Sequence, residues 1–96
     1  MMSSKNLQKK ITEDIIQMLS NCLDIDYSEF EEDEELEEYG IESVTALEFC
    51  TYLYEKYNVS LKIGLIFELA TIEKIVEYLL AKNRDKLELY YSEREG

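Results

Sequence analysis

Apolar residues at Leu7, Ile11, Ile15, Met18, Leu19 and Cys22 recur at spacings of three and four, which is one stripe of an amphipathic helix. Ser3 or Ser4 stands where a cap for that helix belongs, and residues 1–6 are expected to fray. From residue 24 to residue 42 the period is lost. Ile25, Tyr27, Phe30, Leu36, Tyr39 and Ile41 are spaced singly, as anchors that pin a loop over a helical core. Eight of the ten residues from 29 to 38 are acidic, and repulsion between like charges at i,i+4 opposes a long helix there. A short helical turn is predicted over residues 34–39, ended by Gly40 in the left-handed conformation.

The next periodic segment runs from Ser43 to Tyr57 or Asn58. At about 100° per residue its apolar positions divide into two stripes. Ala46, Phe49, Cys50, Leu53 and Tyr57 form the wider one and are predicted to face the core. Val44, Leu47, Thr51 and Tyr54 form a narrower one, bordered by Glu48 and Glu55. A helix in a simple bundle needs a single buried face, so the second stripe reads as a docking surface. Val59, Leu61 and Ile63 alternate through a turn, and residues 65–69 are predicted as one apolar helical turn. Thr71 then caps a last helix, on which Ile72, Ile75, Val76, Leu79 and Leu80 fit the helical period without a miss. Leu87 extends that pattern weakly, and residues 85–96 are expected to form a frayed tail. The predicted fold is all-α, a small bundle of three main helices and one short helix with a long first loop. It forms one domain over residues 1–96 with its core at about 7–82.

Size limits the chemistry. A chain of 96 residues buries only about 60–65 % of its unfolded surface, which leaves little room for a deep pocket. Histidine is absent, and with it the commonest acid–base group. A net charge of −12 argues against nucleic acid and anionic membranes and suits partners with basic surfaces. Cys22 and Cys50 lack metal-ligand spacing and are expected to be small core residues. Asp24, Asp26, Ser28 and Glu35 fall at ligand positions of a calcium loop, but Glu29 stands where that loop needs glycine. The first lysines lead into a mixed polar helix and no apolar run reaches spanning length, so a cytoplasmic location is expected by default. A monomer is expected as well.

One position carries candidate chemistry. Ser43 lies at a helix start, where a serine is by preference the N-cap. With no base nearby it is not a hydrolase nucleophile. The same helix end favours a phosphate, by about 0.3–1 kcal/mol at an exposed position, although the surrounding acids oppose one.

The segment Leu36-Glu37-Glu38-Tyr39-Gly40-Ile41-Glu42-Ser43-Val44, followed by Leu47-Glu48-Phe49, resembles the phosphopantetheine attachment motif of acyl and peptidyl carrier proteins. Ile66-Phe67-Glu68-Leu69-Ala70-Thr71-Ile72, with Ile75 and Tyr78-Leu79, is similar to their third and fourth helices. The likeness is nearest to carriers of polyketide and mixed polyketide–peptide synthases. It implies a non-catalytic carrier whose Ser43 receives a 4′-phosphopantetheine arm from coenzyme A through a magnesium-dependent phosphopantetheinyl transferase. The arm's thiol then holds an acyl or aminoacyl group as a thioester. It further implies that Glu42, Val44, Leu47, Glu48, Thr51 and Glu55 meet the transferase and the acyl-loading and acyl-processing enzymes. Phe49, Leu61 and Phe67 would be those nearest a sheltered acyl chain. Glu42 departs from the family's usual aspartate and Ala70 from its frequent proline. The Val44-Thr45-Ala46 run is less acidic than in fatty-acid carriers, which favours a specialised pathway. A peptidyl or aminoacyl carrier, or a helical interaction module without the arm, stand as alternatives.

Overall fold

The computed structural model describes residues 3–95 and consists of five helices: α1 (Ser4–Leu23), α2 (Ser43–Tyr57), α3 (Ile63–Leu69), α4 (Ile72–Lys82) and α5 (Arg84–Glu95). Among the described residues there is no strand, only an isolated antiparallel bridge between Glu35 and Thr71. Helix α1 is the spine, packing against α2, α4 and α5. Its stripe sinks into the core: Leu7, Ile11, Ile15 and Leu19 are fully buried. Ser3 caps it by accepting the Asn6 amide at 3.2 Å. The expected fraying of residues 1–6 therefore does not extend to Ser3–Asn6, while Met1 and Met2 lie outside the described residues. At the other end Asp24 turns left-handed (φ 56°), and its amide reaches the Ser20 carbonyl. Aspartate tolerates that conformation better than most residues.

The 19 connecting residues between α1 and α2 form two 3-10 turns, Tyr27–Glu29 and Leu36–Tyr39, in place of regular helix. Phe30, Leu36 and Ile41 are buried as predicted, and Ile25 and Tyr39 pack partly against the core. Tyr27 is not sunk into the core as an anchor: it is 41 % exposed and lies along the surface of α1, in a shallow groove with Thr12 and Ile16. The candidate calcium ligands have other work. Asp26 caps that same turn by accepting the Ser28 amide at 3.0 Å and the Ser28 hydroxyl.

Two main-chain bonds hold the acidic loop on the α3–α4 junction. The Leu36 amide donates to the Ala70 carbonyl at 2.8 Å, and the Glu73 amide to the Glu32 carbonyl at 3.0 Å. The second satisfies one of the amides that the first turn of α4 leaves without an intrahelical partner. Thr71 satisfies another by accepting the Lys74 amide at 3.2 Å. Ala70 itself has φ 71° and ψ −30°, closed by a bond from the Thr71 amide to the Leu69 carbonyl at 2.8 Å. Proline, with φ locked near −65°, cannot adopt that backbone. The departure from the family's proline is thus built into this junction. Helix α3 begins two residues earlier than expected, at Ile63.

The largest difference lies beyond Asn83. In place of a frayed tail there is a twelve-residue helix, α5, on which Leu87 is fully buried and Tyr91 is 5 % exposed. The Tyr91 hydroxyl donates to Asp14 Oδ2 at 2.5 Å, so the Tyr57 hydroxyl, 2.5 Å away, donates to Tyr91. Tyr90 stacks edge-on against Tyr57 and Tyr91, with Arg94 over its ring. Phenols carry both apolar area and a polar tip, so this seam buries rings and still satisfies every hydroxyl it encloses. The bundle therefore has a fourth long helix, and its core runs on to Tyr91.

Candidate functional site

Ser43 is the first residue of α2 and is exposed. Its placement begins with Gly40, which ends the second 3-10 turn at φ 86°, its amide bonded back to Glu37 and Leu36 carbonyls. The reversal drives Ile41 into the core, where it is 6 % exposed, and turns Glu42 outward in an extended conformation. A Cβ on Gly40 would meet nothing within 4 Å, so glycine is needed for its backbone alone. Gly40→Ala should cost about 1–2 kcal/mol, the price of a left-handed residue with a side chain. A fall in urea midpoint with an unchanged m-value would show it. Tyr39 reinforces the turn from the other side. Its hydroxyl accepts the Glu31 amide at 2.8 Å and its ring lies 4.7 Å from that of Phe30.

The cap of α2 is not Ser43. Glu42 is the N-cap residue, and Thr45 completes the motif through its side chain. The Thr45 hydroxyl accepts the Glu42 amide at 2.8 Å and donates to the Glu42 carbonyl at 3.0 Å. The Ser43 hydroxyl makes no hydrogen bond to the described residues. Residue preference pointed to serine as the cap; the structure moves the cap one residue upstream and leaves that oxygen free.

The two stripes of α2 separate cleanly. Ala46, Phe49, Cys50, Leu53 and Tyr57 are all buried. Val44, Leu47 and Tyr54 are 70 %, 55 % and 57 % exposed, on the same helix as exposed Glu48, Thr51 and Glu55. Thr51 donates its hydroxyl to the Leu47 carbonyl at 3.0 Å, so its remaining outward surface is chiefly methyl. Glu42 and Ser43 lie at one end of this surface. Tyr52, which the stripe did not include, is 39 % exposed and lines a shallow groove with Leu47, Glu48 and Thr51. Its signal was its place as the one large apolar residue on the otherwise polar flank of the helix. Phe49 is fully buried, while Leu61 and Phe67 are partly buried against the core.

The cysteines lie apart from this chemistry. Cys50 is buried, and Cys22 is half-buried where full burial was expected. Burial, and secondarily the Glu48 carboxylate, push the Cys22 thiol up to about 11; burial alone raises Cys50. Neither is a ready thiolate at neutral pH. No group of three or more metal-ligating side chains occurs among the described residues. No described helix is long and apolar enough to cross a membrane.

A phosphopantetheine arm fits this arrangement. A phosphodiester on a first-turn serine lies beside the unpaired amides of the helix N-terminus. The hydroxyl that would bear it faces solvent and is committed to no other bond.

Comparison with known proteins agrees. The profile of the family described as phosphopantetheine attachment site matches residues 13–79. The chain is 29 % identical over 80 residues to polyketide synthase PksL of Bacillus subtilis strain 168, and 35 % identical over 78 residues to polyketide synthase PksN of the same strain. These alignments take in 83 % and 81 % of this chain but only 2 % and 1 % of the two synthases, so the chain spans a very small part of the relatives it matches. No solved structure matches significantly. With the family profile covering well over half of the sequence, the chain belongs to the phosphopantetheine attachment site family, the carriers that bear 4′-phosphopantetheine as a covalent group.

Proposed function

We propose that the chain is an acyl carrier of polyketide or mixed polyketide–peptide biosynthesis, with the arm attached to Ser43. The observation that carries this reading is the free, exposed hydroxyl at the first position of α2, inside the segment matched by the family. Similarity to two polyketide synthases supports the pathway class. Members of the family are generally non-catalytic, and the reading assigns this chain no reaction of its own.

In the attachment step the Ser43 oxygen gains a bond to the phosphorus of coenzyme A that carries the pantetheine. The bridging P–O bond of the pyrophosphate breaks, and adenosine bisphosphate leaves. The serine proton passes to a base on the transferase. Once in place the arm supplies a thiol that holds the cargo as a thioester. The chain's own residues present it: Gly40 and Glu42 aim the start of α2 outward, and Val44, Leu47, Thr51 and Tyr54 offer an apolar stripe to partners. Glu48 and Glu55 attract basic partner surfaces. The working unit is a monomeric single domain in the cytoplasm, and its partners are a phosphopantetheinyl transferase and the synthase enzymes that load and process the cargo.

The test is incubation with coenzyme A and a broad-specificity phosphopantetheinyl transferase, followed by intact mass. One added arm supports the proposal; no addition with several such transferases overturns it. Docking has its own check. Reversing both Glu48→Lys and Glu55→Lys should slow association with the transferase by about tenfold at low salt and flatten its salt dependence. Stopped-flow association at two ionic strengths measures it, and equal rates at low salt remove those two residues from the docking surface.

A further inference from the structure

The start of α2 poses a choice between two registers. Serine is a far better N-cap than glutamate, so residue preference alone would begin the helix one position later, with Ser43 as the cap. In that register the Ser43 oxygen would accept a backbone amide of the first turn and be engaged. The observed register begins at Glu42, whose carbonyl already accepts the Ala46 amide at 2.8 Å. What distinguishes it is Thr45. One hydroxyl bonds both polar groups of the Glu42 backbone, at 2.8 and 3.0 Å, and does so only while Glu42 is the last extended residue.

We infer that Thr45 is a positioning residue for arm attachment: its hydroxyl locks the helix register that keeps the Ser43 oxygen uncommitted. This rests on Ser43 being the attachment point. Thr45 itself need touch neither coenzyme A nor the reacting phosphorus. Its role is exerted through the Glu42 backbone, which the exposed Ser43 follows directly.

The size of the effect follows from the strength of the competing cap. A serine cap of ordinary strength corresponds to about a fivefold preference. Removing the lock should let a matching share of molecules slip into the engaged register. Such a slip lowers the competent fraction without altering the docking stripe on the rest of α2.

Thr45→Val removes the hydroxyl and keeps the side chain's shape; Thr45→Ser keeps the hydroxyl and loses only a methyl. With a broad-specificity transferase and coenzyme A, Thr45→Val should lower kcat about fivefold, with KM for the carrier changed less than twofold. Thr45→Ser should stay within about twofold of wild type in both. In the unmodified Thr45→Val protein the Ser43 Cα and Cβ carbon shifts should move toward the pattern of an N-cap residue. If Thr45→Val does not fold, Thr45→Ala takes its place with the same readouts. Attachment to Thr45→Val at the wild-type rate overturns the inference, as does equal slowing in Thr45→Ser or a Ser43 whose carbon shifts stay put. Wild-type protein that accepts no arm overturns the attachment reading instead, and the carbon shifts still decide the register.

Discussion

Ser43→Ala should keep its original mass after incubation with coenzyme A and a phosphopantetheinyl transferase, whereas the wild-type chain gains one arm. The loss should be complete, because no second hydroxyl shares the position. Thr45 is committed to the Glu42 backbone, and Thr51 donates to the Leu47 carbonyl two turns further along. The substitution should leave stability within about 0.5 kcal/mol, since Ser43 is exposed and contributes no cap or other hydrogen bond. An unchanged melting curve beside an unchanged mass therefore separates loss of the attachment point from loss of the fold. Arm addition to Ser43→Ala would place the attachment elsewhere. A large fall in stability would mean that Ser43 caps α2 after all.

Leu87→Ala should destabilise the chain by about 2–5 kcal/mol, in the range of other fully buried leucines. For a domain of this size that is a large share of the roughly 5–15 kcal/mol that keeps it folded. Each kcal/mol should lower the melting temperature by about 4–8 °C. Leu89→Ala, on the same helix but 61 % exposed, is the control and should change stability by no more than about 0.5 kcal/mol. Chemical denaturation of the two variants side by side measures the difference. Equal, small effects would return α5 to the status of a loose tail. The contrast has a practical edge, because the family profile ends at residue 79, before α5 begins. A fragment cut at that boundary would lose Leu87 from the core and the Tyr90 and Tyr91 rings that pack on Tyr57.

Much of the molecule was legible without coordinates. The two-stripe division of α2 came directly from the helical period, and all five residues given to the core are buried while the other stripe is exposed. The same period located α1 and α4, and Thr71 and Gly40 take the capping and left-handed roles that their residue types suggest. These features are local: a turn of helix reads its own sequence, and burial follows from which face is apolar.

What stayed hidden depends on partners far along the chain. Helix α5 is mixed in charge and has few aliphatic residues, so Leu87 alone gave a weak sign of a buried face. Its Tyr91 is held by Asp14, 77 positions earlier, and by Tyr57, 34 positions earlier. Tyr27 looked like its neighbours in the acidic loop, and only the path of the chain over α1 left it in solvent. Ala70 gives no hint of a positive φ; the loop bond from Leu36 accompanies it. The amino-acid sequence by itself determined where the first four helices form, which way α2 faces and which serine stands at its mouth. The cap of α2 one residue upstream is also local, a bond from Thr45 to Glu42 three positions away that the preference for serine masked. Only the tertiary structure decided that a fifth helix closes the bundle, because its buried face is held by Asp14 and Tyr57, groups whose meeting with Tyr91 no local pattern records.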